Sequence, residues 1–139
     1  MEELCLEAKI ENIGTVSDFV CTQIANCSME IQNEIMLAVD EIFSNIANYA
    51  YSPEIGYVTV RTTVDDDITI EFEDSGIAYN PLSSDDPDIT LPAHERKIGG
   101  LGIFMVKKIM DSMEYRREEN KNILAIKKAK GSFLNVQKP

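Results

Sequence analysis

The segment EIFSNIANYAY, residues 41–51, closes the longest run of helical periodicity in the chain. Apolar residues recur along one face from Ser28 or Glu30, where the helix is expected to start, to about Ala50. Ser52-Pro53 follows, and proline cannot continue a helix. The pattern therefore predicts a long amphipathic helix that ends near residue 50.

Polar side chains of this segment share a face of the predicted helix. Glu41 and Asn45 are four residues apart and so are neighbours, with Asn48 and Tyr49 one further turn along. Taken alone, such a pair is usually a solvated helix face. It also suits chemistry, because the Asn45 carbonyl oxygen can coordinate Mg²⁺ shared with phosphates while the Glu41 carboxylate orients or deprotonates a nucleophile.

A strand and a helix are predicted before this segment. Leu4 to Ile10 alternates apolar and polar residues with the period of a half-buried strand. After Gly14, apolar residues return to helical spacing, with Thr15 or Ser17 as the expected N-cap. The first helix is therefore expected to begin at about residue 15.

A hairpin is predicted after the long helix, and it ends in the motif EDSGIAYNP, residues 73–81. Tyr57 to Val64 and Ile68 to Phe72 alternate as strands, with Asp65-Asp66-Asp67 as the turn. The motif itself is consistent with a simple strand-ending turn. A carboxylate here can instead accept a hydrogen bond from the exocyclic amine of adenine, while Gly76 lets the base approach the backbone.

A proline- and aspartate-rich loop then runs to Lys97, and loops of this length in compact domains often serve as lids or binding loops. The run Gly99-Gly100-Leu101-Gly102-Ile103 follows and opens a third predicted helix. It is either a flexible joint or a site where backbone N–H groups and the helix dipole face phosphate. Met113 to Arg117 and Ile123 to Lys127 then form a predicted hairpin, with its turn at residues 119–122.

Composition limits the classes of function. The 139 residues fit one domain, residues 1–139, and the net charge of -11 argues against direct binding of nucleic acid or anionic lipid. Three cysteines without CxxC spacing indicate neither disulfides nor zinc. The lone His94 is expected to be solvated. The sequence shows neither a secretory signal nor a membrane span, so we expect a cytoplasmic protein.

The order of the motifs is more specific than any one of them. Glu-x-x-x-Asn on a helix, Asp-x-Gly after a strand, a long loop and Gly-Leu-Gly before another helix together resemble the GHKL ATPases. Within that family, EIFSNIANYAY, FEDSGIAYNP and GGLGIFMVKKIMDSMEYRREENKNILAIKK are similar to stretches of the anti-sigma-factor serine/threonine kinases. The resemblance spans nearly the whole chain.

This resemblance implies a two-layer α/β sandwich, the Bergerat ATP-binding fold, with a mixed, mainly antiparallel sheet of about five strands under three helices. It implies transfer of phosphate from ATP to a serine or threonine of a STAS-domain anti-anti-sigma protein, possible sequestration of a sigma factor or another regulator, and a possible homodimer. Glu41 would be the general base and Asn45 would hold Mg²⁺. The nucleotide would be bound by Asn45, Asp74, Gly76, Ala78, Gly99, Gly100, Leu101, Gly102 and Ile103.

The sequence departs from the family pattern at several positions. Tyr49 stands where many relatives carry His, and Asn80 where an Asp is frequent. Ile98 precedes the glycines where some relatives have arginine, so that Arg96 or Lys97 would have to reach the phosphates.

Two other functions remain open from the sequence. A nucleotide-dependent protein-binding module would keep ATP binding without phosphoryl transfer, and Glu41 argues against it. An acidic α/β domain without a ligand is the plainer alternative. A full histidine kinase is disfavoured, because no helix carrying a phosphoacceptor histidine precedes the predicted domain.

Overall fold

The computed structural model describes residues 1–51, 54–83 and 100–130. The strands are β1 (Glu2–Glu7), β2 (Tyr57–Val64), β3 (Asp67–Asp74), β4 (Ser112–Glu118) and β5 (Lys121–Ala129). The helices are α1 (Ile13–Gln23), α2 (Met29–Asn45) and α3 (Gly100–Ile109). The helical segment that includes α2 ends at Ala50, as predicted, and Ser52-Pro53, most of the long loop and the tail from residue 131 lie outside the described residues.

The strands form one open sheet in the order β1-β2-β3-β5-β4, and each neighbouring pair is antiparallel. The two-layer α/β fold with five strands and three helices is thus confirmed. No two of the described strands pair in parallel. Two of the four pairings, β2 with β3 and β4 with β5, are hairpins, and the strands of the other two pairings also run in opposite directions. No described helix is long and apolar enough to cross a bilayer.

Helix α2 lies between α1 and α3 and forms the centre of the helical layer. Its start is confirmed at Ser28, whose Oγ accepts a hydrogen bond from the Ile31 N–H at 3.2 Å. Its apolar stripe packs on the inner face of the sheet to form the core. The largest fully buried side chains are Phe43, Phe72, Ile24, Ile35, Ile42, Ile68, Ile70 and Ile126.

The N-terminal boundaries differ from the expectation. β1 ends at Glu7, and Ile10 lies in a short 3₁₀ turn, because the chain bends after Ala8, whose N–H donates to the Gly56 carbonyl at 2.8 Å. α1 begins after Asn12 rather than at the expected residues. Thr15 lies inside the helix, as does Ser17, whose Oγ donates to Asp40 on α2 at 3.2 Å.

The hairpin of β4 and β5 has a two-residue loop, Glu119-Asn120, with positive φ at both residues. Such loops match the twist of the flanking strands. The predicted hairpin is confirmed, but the expected four-residue turn is wrong. Asn122 lies within β5, where it pairs with Asp74 of β3 on the inner face of the sheet.

Candidate functional site

A pocket of about 390 Å³ opens where the end of α2, the end of β3 and the start of α3 meet. Its wall is mostly apolar and aromatic, with a few polar groups, as is common for small-molecule sites. It is lined by Ile42, Asn45, Ile46, Tyr49, Ala50, Phe72, Asp74, Ile77, Tyr79, Pro81, Ile103, Tyr115, Asn122 and Leu124.

The most unusual group in this wall is a buried carboxylate at the end of β3. Asp74 is only 5% exposed, and burial raises the pKa of its carboxyl, although hydrogen bonds from Asn122 and the Gly76 N–H and the charge of Arg117 oppose the shift. Both hydrogen bonds fall on Oδ1, at 3.0 Å from Asn122 Nδ2 and 2.9 Å from the Gly76 nitrogen. No described residue donates to Oδ2.

Gly76 lies against the last turn of the α2 helical segment. Residues Ile46–Ala50 continue α2 as a π-helix, a form that often occurs at functional sites. A Cβ at Gly76 would overlap the Ala50 carbonyl, which accepts a hydrogen bond from the Ile77 N–H at 3.0 Å. This close approach requires glycine, and it joins the Asp74 turn to the helix that carries Asn45.

Asn122 is part of the site, and the sequence analysis missed it. It is 6% exposed and lies opposite Asp74 in the register of β3 and β5. The four polar residues at 119–122 gave no indication of where the strand begins. The alternation of Leu124 and Ile126 on the inner face, extended back by one step, was the signal that could have placed Asn122 there.

Glu41 and Asn45 lie on one side of α2, as predicted, and Asn45 lines the pocket. The Glu41 carboxylate packs directly against Gly102 in the first turn of α3, where a Cβ would overlap it. The structure therefore brings the helix motif and the glycine motif into contact, with the pocket beside them.

The remaining predicted site residues are distributed as follows. Gly100, Leu101, Gly102 and Ile103 form the first turn of α3, and the buried Ile103 side chain lines the pocket. Ala78 is exposed between two residues of the pocket wall and is not part of it. Gly99, Arg96, Lys97, Ile98 and His94 lie outside the described residues.

Asn45 in the pocket wall is the residue that the sequence pattern predicts to coordinate Mg²⁺. Mg²⁺ prefers oxygen ligands and is often held by one or two protein groups plus phosphates and water. The described residues contain no cluster of three or more histidine, cysteine or acidic side chains. The Asn45 amide oxygen, in the pocket wall, is of the ligand type that Mg²⁺ accepts.

A family model described as the histidine kinase-like ATPase domain matches residues 6–128. The chain belongs to the histidine kinase-like ATPase family. This confirms the resemblance to the GHKL ATPases, and membership of this ATPase family implies that the chain binds ATP.

Individual relatives are similar over most of their length. The serine-protein kinase RsbW of Bacillus mycoides is 24% identical over 133 residues, which cover 90% of this chain and 82% of the relative. The anti-sigma F factor of Clostridium perfringens is 29% identical over 127 residues, 88% of this chain and 91% of the relative. The serine/threonine-protein kinase BtrW of Bordetella bronchiseptica is 24% identical over 102 residues, 71% of each chain.

Proposed function

We propose that this chain is a Mg²⁺-dependent protein serine/threonine kinase that transfers phosphate from ATP to a STAS-domain anti-anti-sigma protein and also sequesters a sigma factor or another regulator. The observation that carries the proposal is the single pocket at which Asn45, Asp74 and Ile103 meet. Each comes from a different one of the three sequence motifs, so one ligand in this pocket would touch all three.

The base-binding end of the pocket is assigned to the Asp74 region. The buried carboxylate has one oxygen without a donor among the described residues, and an exocyclic amine of adenine can supply that donor. Gly76 donates its N–H to this carboxylate and lets the Ala50 carbonyl lie against the turn, and apolar side chains of the wall would cover the faces of the base. Guanine would present its O6 acceptor to this carboxylate and would be rejected.

The phosphate-binding end is assigned to the first turn of α3. Backbone N–H groups at a helix N-terminus and the positive end of its dipole favour phosphate. Gly100, Leu101 and Gly102 lie in this turn, and we assign Gly99 to the same function. We also assign a further phosphate contact to Arg96 or Lys97, which come shortly before Gly99 in the sequence.

Catalysis is assigned to Glu41 and Asn45 on α2. Bound with ATP, Mg²⁺ would neutralise developing charge on the phosphates, and Asn45 would hold it. Glu41 is on the same side of the helix and contacts the α3 turn through Gly102, so its carboxylate is close to where the phosphates would lie. It would accept the proton of the attacking serine or threonine hydroxyl.

The names of the relatives support the partner class. Proteins of similar length are named serine-protein kinase and anti-sigma F factor. We therefore propose a STAS-domain protein as the phosphate acceptor and a sigma factor as a second partner, with cytoplasmic location and homodimer formation as part of the same proposal.

The test is transfer of labelled γ-phosphate to a STAS-domain protein, with Glu41→Gln compared with Glu30→Gln on the exposed side of the same helix. We expect Glu41→Gln to bind ATP normally and to lose roughly 10²–10⁴-fold in transfer rate, the usual contribution of a general base. Glu30→Gln should transfer normally.

Two results would redirect the proposal. Undiminished transfer by Glu41→Gln would remove it as the base. ATP binding by the unmodified chain without transfer to any acceptor would indicate a nucleotide-dependent binding module instead of a kinase.

A further inference from the structure

Asn122 uses its whole side-chain amide at the Asp74 end of the pocket. Its Nδ2 donates to Asp74 Oδ1 at 3.0 Å and to the Ile77 carbonyl at 2.7 Å. Its Oδ1 accepts from the Tyr115 hydroxyl at 2.5 Å and from the Tyr79 N–H at 3.3 Å. An amide side chain offers two donor hydrogens and one oxygen with two lone pairs, so every position is occupied.

This arrangement allows only one orientation of the amide. Nδ2 faces two acceptors, and Oδ1 faces two donors. Turning the amide over would place its oxygen against the Asp74 carboxylate and the Ile77 carbonyl, and its NH₂ against the Tyr79 N–H. Three unfavourable contacts would replace three of the four hydrogen bonds, since only the Tyr115 hydroxyl could accept from the turned NH₂ group, and unpaired polar groups are costly in a buried position.

The fixed amide in turn fixes the carboxylate of Asp74. Oδ1 is held by Asn122 from β5 and by the Gly76 N–H from its own turn. The rotation of the carboxyl group is thereby set. Oδ2 is the oxygen that remains for a ligand, and it can only accept a hydrogen bond while the carboxyl is ionised.

We propose that Asn122 is the positioning residue that sets purine selectivity in this pocket, by holding Asp74 so that its second oxygen selects a 6-amino purine over a 6-oxo purine. The inference rests on the proposed ATP site. It assigns to Asn122 a function beyond packing, and two of its four bonds also hold Ile77 and Tyr79 of the pocket wall in place.

The charged surroundings of Asp74 add a second, independent readout. Arg117 on β4 donates to the Gly76 carbonyl at 3.1 Å, and its charge lowers the pKa of Asp74. The charge of Glu73, next to Asp74 on β3, raises that pKa. The hydrogen bond from Asn122 also lowers this pKa against the dominant effect of burial. Loss of that bond should therefore raise the pKa of Asp74 further.

The test compares Asn122→Asp and Asn122→Ser with Asn33→Asp, the same substitution at an exposed position of α2. ATP and inosine triphosphate, which differ in the 6-amino and 6-oxo groups, are titrated calorimetrically. The unmodified chain should prefer ATP by about tenfold or more, or ~1.4 kcal/mol. Asn122→Asp keeps an acceptor for Tyr115 and Tyr79 but replaces the donor to Asp74 with a second carboxyl, whose negative charge repels that of Asp74.

We expect both Asn122 variants to lose most of the ATP preference, and NMR titration of the nucleotide-free protein to show a raised Asp74 pKa. Asn33→Asp should keep both properties. Variants with reduced thermal stability but an unchanged ATP preference and an unchanged Asp74 pKa would overturn the inference and leave Asn122 a packing residue. If the unmodified chain binds neither nucleotide, the proposed function itself fails, and the selectivity assignment fails with it.

Discussion

Both hydrogen bonds that Asp74 accepts from described residues reach Oδ1. At the scale of the single residue, the atom in the Oδ2 position therefore decides which ligand group Asp74 recognises. In Asp74→Asn the amide oxygen would keep these two donors, and the NH₂ group would take the place of Oδ2. A donor would then face the adenine amine.

We predict that Asp74→Asn weakens ATP binding by roughly 10- to 100-fold. The Asn NH₂ group and the adenine amine would face each other without an acceptor, and an unpaired buried polar group costs about 1–3 kcal/mol of binding free energy. Calorimetric titration would measure it, with Asp18→Asn on the exposed face of α1 as the control. Inosine triphosphate should not lose affinity in Asp74→Asn. Equal losses for both nucleotides would show that Asp74 does not read the base.

Single residues of the site were predictable where a local motif carries them. Asp74 and Gly76 follow a clear strand, and the structure places both at the expected turn. Asn122 was not predictable in the same way, because its function depends on the register between β3 and β5. The start of β5 is in turn set by a two-residue loop with positive φ, which contains no glycine to mark it.

At the scale of elements, the packing of α2 against α3 depends on one glycine. The Glu41 carboxylate occupies the space that a Cβ at Gly102 would need. Gly14 in α1 offers a matched control, since a Cβ there would meet nothing within 4 Å. The two glycines are both helical but differ in what lies next to them.

We predict that Gly102→Ala displaces Glu41 and lowers phosphoryl transfer by at least about tenfold, and by at most the roughly 10²–10⁴-fold that a general base contributes. Gly14→Ala should leave transfer unchanged and stabilise the fold by about 0.5–1 kcal/mol, because alanine is the better helix former. Transfer assays and urea unfolding measure the two effects. Normal transfer by Gly102→Ala would mean that this contact is dispensable.

Most elements followed from periodicity, and their boundaries followed less well. Tyr57–Val64 was predicted to the residue because its alternation is uninterrupted, and the long helix starts at Ser28, the first of its two expected positions. α1 starts earlier than expected, after Asn12, whose side chain donates to the Glu7 carbonyl instead of capping the helix. The π-helix at Ile46–Ala50 was not predicted from the sequence pattern, and its last residue packs against the Gly76 turn.

At the scale of the whole molecule, ion pairs tie several strands together on the sheet face opposite the helices. Arg61 on β2 pairs with Glu3 on β1 at 2.7 Å and with Glu73 on β3 at 3.1 Å, and Lys121 on β5 pairs with Glu73 at 3.4 Å. Burial raises the pKa of Glu73, but the hydrogen bond and charge of Arg61, with those of Lys121, outweigh it and lower the pKa.

A lowered pKa means that the native state binds the Glu73 proton less tightly than the unfolded state. The stabilisation is therefore present above about pH 4.3, the ordinary glutamate pKa, and is lost as the pH falls through the lowered value. We predict that Glu73→Gln reduces the free energy of unfolding by about 1 kcal/mol at pH 7 and by progressively less below pH 4. Urea unfolding across this range, with exposed Glu114→Gln as the control, measures it; a difference independent of pH would contradict the assignment.

In the whole molecule, the three motifs meet around one pocket. One measurement directly tests the claim that this pocket is a selective Mg-ATP site. Calorimetric titration of the purified chain with ATP, with and without Mg²⁺, is compared with GTP and with the Asn45→Ala variant. We predict micromolar binding of ATP that strengthens with Mg²⁺, little binding of GTP, and loss of the Mg²⁺ effect in Asn45→Ala. Absence of ATP binding, or equal binding of GTP, would contradict it.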